Sequence, residues 1–584
     1  MCGIFFSICN RNDQPIHFKN EIYQDISESL ARRGPDDHQV IETECGNVGL
    51  YFAGWVLHMQ GQQICSQPAQ SKKGNILLWN GEVFDGLKVS PGQSDTTALL
   101  SSLDKCDDEE ILQLLSCIEG PWSFVYYHLA NSKVYFGRDY FGRRSLVWNW
   151  DENTLTLASV CSRNASWEEV AGCGIFCVNI KDGQSGFKKS IVLHPWKCIT
   201  NPRPKVCEDF QTGRILNTAM HTKYKYKLDN YPLVDLPHIS SHVEPLTILA
   251  KSCSDKNLWP VCREFIAKLK RSVMKRTSAH TSTGENCNIG VLFSGGVDCS
   301  VLALLADIYI PKDEAIDLLN VAFEQRRKLS KTKQSNALVK DNIYEVPDRI
   351  TGRSSYQELK DLCPKRKWNF VEINVTLEEL GEKRVERISM LSCPKSTVLD
   401  DSIACAIWFA SRGEGLLNGE QKYRSNARVL LCGMGADEQL AGYSRHRGIY
   451  DRNNDWGAVG DEINMEVERI SARNLGRDDR IISDHGKEAR FPYFDEEVVQ
   501  FLCSLPVHVK ADLRLERGIG EKILLRGAAY DLGLHGAAVA PKRAIQFGSR
   551  IAKAENRKEK GGDSCERLKN NFASQIHIFK NAKL

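Results

Sequence analysis

No apolar run in this chain approaches the ~20 residues a membrane-crossing helix requires, and no secretory apolar stretch follows Met1. Both absences lead to the expectation of a cytoplasmic chain with no membrane partner. Net charge is nearly absent too. A formal +3 over 584 residues gives no overall pull toward nucleic acid or anionic lipid. Cysteine is plentiful, 21 in all, but paired C-x-x-C spacing is missing. Cys173 with Cys177 and Cys253 with Cys262 lack the paired spacing expected of a structural zinc site. Free, mostly buried thiols in a reducing compartment are the expected state.

What is present is ordinary globular composition, 42% hydrophobic and 26% charged, in a chain too long for one core. Two textures divide it. Up to about residue 190, short apolar and aromatic runs are cut by glycine and asparagine: "GNILLWNGEVF" (74–84), "GPWSFVYYHL" (120–129) and "KVYFGRDYFG" (133–142). These predict antiparallel strands with tight turns, and "DEEILQLLSCI" (108–118) has helical spacing between them. Residues 194–242 are proline-bearing and aperiodic and read as a linker. Val261, Phe265, Leu269 and Val273 then recur every four residues, which predicts a helix with one buried face. Beyond 285, aliphatic strands alternate with helices, the pattern of a parallel sheet covered by helices. A lysine-rich insertion at 324–342 and a charged tail interrupt and end it. The division expected is 2–190, a linker and leading helix over 191–284, a second domain over 285–555, and a tail over 556–584.

"LFSGGVDCS" carries the most chemistry. An aliphatic strand ends at Phe293, Ser294, Gly295 and Gly296 form the turn, and a helix begins near Asp298. Two glycines let successive N–H groups face one concavity at a helix N-terminus, where the dipole favours an anion. The Walker lysine is lacking. Asp298 stands there instead, which suits pyrophosphate held together with Mg2+. In "GADEQLAGY" (435–443), Asp437 reads either as a second magnesium ligand or as an acidic helix start.

The ordered set "MCGI", "RRGPD", "WNGEVF", "SD", "GRDYFGRRSL", "SGGVDCS", "GADEQLAGY", "HGKEARFPYFD" and "PKRAIQFG" resembles the glutamine-dependent asparagine synthetase family over about 2–190 and 285–550. The resemblance implies an α/β and α+β chain of two domains. One is an N-terminal-nucleophile glutaminase domain of antiparallel β-sandwich type; the other is a parallel-sheet synthetase domain with a pyrophosphate loop. It further implies that Met1 is removed and that the α-amine of Cys2 is the base for its own thiol. Asn80 and Gly81 would form the oxyanion hole, and Glu82 and Asp95 would grip the α-amino group of glutamine. Ammonia would pass to the second domain, where ATP activates a carboxylate, by resemblance that of aspartate. Ser294, Gly295, Gly296, Asp298 and Asp437 would hold pyrophosphate and magnesium, Val321 would line the adenosine pocket, and Lys542 would neutralise phosphate charge.

The departures are as informative. Aligned on Gln67-Pro68, Val56 stands where the family has the arginine that clamps the α-carboxylate of glutamine, a strong bidentate interaction. Arg32 and Arg33 are the candidate replacements. Met434 replaces the glutamate thought to handle ammonia's proton, and methionine is no base. Ser402 replaces the arginine that orients aspartate, and Cys299 a serine of the pyrophosphate loop. Nucleotide-side residues survive while those for both amino-acid substrates are altered. Three readings follow: an amidotransferase of asparagine-synthetase type, an adenylating enzyme for another carboxylate, and a scaffold without turnover. In the second, Asp400 and Asp401 would favour a cationic or amine-bearing acceptor. His446 and His485 read as hydrogen-bonded structural histidines, and "EAR" (488–490) as a buried ion pair or a purely structural strand.

Overall fold

The computed structural model describes residues 2–10, 21–151, 153–163, 165–181, 186–197, 207–208, 210–217, 244–278, 288–325 and 343–554. Most of the aperiodic linker, nearly all of the lysine-rich insertion and the charged tail lie outside the described residues.

The first texture folds as two facing antiparallel sheets. One takes its strands in the order Glu168–Glu169, Val147–Trp150, Thr154–Ala158, Gly3–Asn10, Val48–Val56 and Asp37–Cys45. The other runs Gln211–Thr212, Ile191–Pro195, Gly174–Asn179, Lys133–Arg138, Trp122–His128, Ile76–Gly81 and Ala69–Gln70, with only Gln211–Thr212 parallel to its neighbour. Alternation along each strand decides the layering. Ile76 and Leu78 point between the sheets, where they meet Ile4, Phe6, Phe52 and Phe136. Leu77 and Trp79 point outward onto the helices Asp95–Leu103 and Asp108–Cys117. Phe5 and Trp55 likewise turn outward from the first sheet onto helix Glu21–Arg33. The glutaminase-type half is therefore a sandwich with a helical layer on each outer face. Helix Asp108–Cys117 begins where Asp107 and Glu110 form a capping box.

The second texture folds as a sheet ordered Gln421–Arg424, Glu414–Leu417, Trp368–Val375, Ile316–Phe323, Ile289–Leu292, Val429–Leu431 and Glu488–Arg490. Its five last-named strands are parallel, and the first two form an antiparallel edge hairpin. The chain builds outward from Ile289–Leu292 in one direction, then returns to lay Val429–Leu431 on its other side. The order reverses between those two strands, and the crevice beyond the C-terminal ends at such a reversal is where open α/β sheets bind ligands. Helix Leu258–Ser278 buries Val261, Phe265, Leu269 and Val273, as its spacing predicts.

Arginines and carboxylates join the halves. Asp479, fully buried on helix Leu475–Ser483, accepts from Arg33 Nη2 at 2.8 Å, the Ser145 amide at 3.0 Å and Arg144 Nη1 at 3.5 Å. Arg480 reaches Glu169 at 2.8 Å, Arg428 reaches Asp36 at 2.7 Å, and Arg143 bridges Asp139 and Glu496. Phe141 packs on Phe494, ring centres 5.3 Å apart.

Candidate functional site

Cys2 immediately precedes strand Gly3–Asn10, which lies alongside Val48–Val56 and in contact with Ile76–Gly81. That places its thiol beside the end of the strand bearing Asn80 and Gly81. The Cys2 amide nitrogen donates to Asn80 Oδ1 at 3.0 Å, and Gln67 Nε2 lies 3.5 Å from Cys2 Sγ. Gln67 is itself fixed by both hydrogen bonds to the Trp79 backbone, 2.9 and 2.7 Å. Asn80 is fully buried, yet its Nδ2 meets no acceptor among the described residues. A buried donor beside a nucleophile, left without a partner, fits an anion that forms only during reaction. Burial raises the Cys2 thiol above its usual range, so a base must take its proton before it can attack.

Around Cys2 the charges are mostly carboxylates. Asp95 begins helix Asp95–Leu103 and accepts from Trp79 Nε1 at 3.0 Å and the Thr96 amide at 2.7 Å. Burial nevertheless lifts it to about 6. Glu82 is raised well above the usual carboxylate range, first by burial and then by Glu488. Gln60 Nε2 donates to it, and Arg490 Nη2 lies 3.6 Å away. Glu488 and Arg490 come from the last strand of the other half and pair at 2.7 Å; Arg144 joins Glu488 at 3.0 Å. Burial works against ionising Glu488, but the two guanidinium groups outweigh it and hold it below the normal carboxylate range. The "EAR" stretch is thus a buried ion pair that borders the cysteine site. Position in sequence gave no hint of that, since these residues lie some 400 positions from Glu82.

The structure overturns the replacement of the missing clamp by Arg32 or Arg33. Arg32 binds Asp484 at 3.1 Å, and Arg33 binds Asp479 and Ser483, so both are committed to the domain contact. Val56 is buried at the end of its strand.

The second candidate site lies at the strand-order reversal. Gly295 has φ of +79°, and a Cβ there would meet Thr351 O and Gly352 N at 2.5 Å. Only glycine fits this turn. Helix Val297–Tyr309 starts with no side-chain cap, so its first amides stay available to a ligand. A cavity of about 880 Å³ opens here, lined among others by Ser294, Gly296, Asp298, Val321, Asp348, Met434, Asp437 and Lys542. Gly295 shapes the turn from behind. Lys522 was missed by sequence reasoning. Its ammonium reaches Asp298 at 2.7 and 2.8 Å and Asp437 at 2.6 Å, while Lys542 contacts the other Asp437 oxygen. Burial disfavours the Asp437 anion, but the two lysines overcome this and hold it well below the usual range. Two carboxylates converging on one cationic point match the way Mg2+ is held, by one or two carboxylates plus substrate phosphates. Nothing local marks Lys522; it is one lysine before a helix, with a backbone φ of +59°.

Ser402, one of the altered positions, lies on helix Val398–Arg412 with Asp400, which lines the cavity. Ser402 Oγ donates to the Val398 carbonyl at 2.9 Å and faces its own helix. Asp400 is held by Arg477, and Asp401 by Arg384 at 3.0 Å. Their charges are met within the chain, which corrects the expectation that this pair favours a cationic acceptor. His485 packs on Trp408 and bonds its carbonyl at 2.9 Å, and His446 accepts from the Tyr443 amide at 3.3 Å.

A cysteine site on paired antiparallel sheets, joined to an open glycine loop on a parallel sheet, defines a two-domain chain: a glutamine amidotransferase fold followed by an asparagine synthase fold. Residues 1–169 match the glutamine amidotransferase domain family and residues 451–560 the asparagine synthase family. The chain belongs to the family of asparagine synthetase domain-containing protein 1. It is 43% identical to that protein of Bos taurus, covering 97% of this chain and 98% of the relative. It is 42% identical to that of Homo sapiens, covering 100% of both. With asparagine synthetase [glutamine-hydrolyzing] of Gallus gallus the identity is 26%, over 86% of this chain and 77% of the relative. No helix among the described residues is long and apolar enough to cross a membrane.

Proposed function

We propose that this chain is an asparagine synthetase-like amidotransferase that uses glutamine as nitrogen donor and ATP to activate a carboxylate. The observation that carries this reading is the pairing of an uncapped glycine loop with two lysine-bridged carboxylates at the strand-order reversal. Ser294, Gly295 and Gly296 would present amides to pyrophosphate, Asp298 and Asp437 would hold Mg2+, and Lys522 and Lys542 would balance phosphate charge. Val321 would line the adenosine pocket. In the first half, the amine freed on loss of Met1 would take the Cys2 thiol proton. The thiolate would attack the glutamine amide, and Asn80 Nδ2 with the Gly81 amide would receive the oxyanion. Asp95 and Glu82 would bind the substrate ammonium, which favours their ionised forms despite burial.

Two measurements test it. Magnesium-dependent ATP binding is expected by calorimetry, and its absence would end the nucleotide reading. Glutamate release from glutamine is expected to vanish in Cys2→Ala. A second reading, a chain whose glutaminase half is silent, is favoured by Val56 and by the commitment of Arg32 and Arg33 to the domain contact. No glutamate release at saturating glutamine would select it.

A further inference from the structure

One part of the cavity lining is a basic wall. Arg445, Arg469 and Arg473 all line it and all converge on one carboxylate, the fully buried Glu466. Arg445 has a second partner, Glu462, at 3.1 Å. Three guanidinium groups thus share two carboxylates, and the buried Nε of Arg469 donates to no acceptor among the described residues. Lys395 adds a further positive charge to the same wall. It donates to the Ala472 carbonyl and makes no ion pair among the described residues. Acidic groups on this wall have their partners already. Asp400 and Asp478 both bind Arg477, and Glu438 accepts from Tyr443 Oη at 2.6 Å and the Gly435 amide at 3.0 Å. The named charges balance in number, but Arg469 Nε and the Lys395 ammonium have no carboxylate partner among the described residues and are the donors left for an anion, while each of these carboxylates already accepts from at least one donor. At about 880 Å³ the cavity lies near the top of the range for ligand sites, roughly 300–1,000 Å³, which leaves room for an acceptor beside a nucleotide.

We infer that this wall selects an acceptor that carries, besides the carboxylate to be activated, at least one further anionic group and no free amine. The anchor is a second carboxylate or a phosphate, since either satisfies the same guanidinium donors. The inference rests on the proposed carboxylate-activating function and names its substrate class.

Calorimetry on the full chain tests it without nucleotide, using tricarballylate and 2-phosphoglycolate as probes and aspartate as the amine-bearing comparator. At least one probe is expected to bind ten-fold or more tighter than aspartate, and the tighter of the two identifies the anchor. Arg469→Gln and Arg473→Gln are each expected to weaken that probe by about ten-fold or more, the scale of one hydrogen bond to a charged group. Aspartate binding as tightly as both probes, neither probe binding, or unchanged probe affinity in both variants would overturn the inference. The ligand order in the wild-type chain stands even where a variant fails to fold. ATP-dependent pyrophosphate release separates the two levels. Release preferring aspartate defeats this inference alone. The expected binding order with no release for any acid defeats the activating function instead.

Discussion

Asp479 offers the sharpest test of how the halves are held. It is fully buried and accepts from Arg33, Arg144 and the Ser145 amide, all three contributed by the first half. Asp479→Ala removes one carboxylate and leaves two buried guanidinium groups short of a partner. Breaking a buried pair in this way costs about 3–5 kcal/mol, and an unsatisfied buried amide adds about 1–3 kcal/mol. Arg33 keeps Ser483, and Arg144 keeps Glu488 and the Ala489 carbonyl, so the lower part of that range applies. At about 2–4 °C per kcal/mol for domain-sized cooperative units, the transition should fall by roughly 10 °C. Scanning calorimetry is the assay. The variant is expected to show a lowered main transition and a separate second one, because the contact no longer couples the halves. Asp479→Asn, which keeps one acceptor oxygen, should lie between the variant and the wild type. A variant melting within about 2 °C of wild type in a single transition would refute the account.

Three further outcomes follow from the sites. Asn80→Ala should lower the rate of glutamate release by roughly 10²–10³ through kcat, the cost of one oxyanion donor; a change confined to KM would place Asn80 in substrate binding only. Gly295→Ala forces a Cβ to 2.5 Å from the Thr351 carbonyl and Gly352 amide, so calorimetry should show magnesium–ATP binding lost, and retained affinity would show that the loop does not hold phosphate. Burial holds the Asp348 carboxyl at about 7, above its unfolded value of about 3.9. The native chain therefore keeps a proton that the unfolded chain releases. Its contribution is favourable below pH 4, falls as pH rises to about 7 and is level above. Asp348→Asn should melt close to wild type at pH 4 and above it at pH 8; a difference that does not vary with pH would exclude the titration.

Much of this was legible because local patterns carry it. Strand Ile289–Leu292, the turn at Gly295 and helix Val297–Tyr309 are fixed by aliphatic periodicity and by a glycine that nothing else replaces. The nearness of Cys2 to Asn80 was reached through resemblance, since no local pattern joins residues 78 positions apart. What stayed hidden is long-range charge pairing. Lys522 reads as an ordinary helix-start lysine until Asp298 and Asp437 are brought to it from the first turns of two other helices. Arg32 and Arg33 read as possible substrate ligands until Asp484 and Asp479 claim them. Asp400 and Asp401 read as free acceptor-binding acids for the same reason. Charge in a sequence shows neither its distance to a partner nor whether it is already spent.

The placement of Glu488 and Arg490 has a consequence for how this chain tolerates change. They are core residues of the parallel-sheet half and neighbours of Glu82 in the other. A substitution there cannot be confined to one workshop. Whatever chemistry either half carries, residues at this contact are needed to keep the other folded. The surroundings of Cys2 are thus held by architecture, whether or not the thiol reacts.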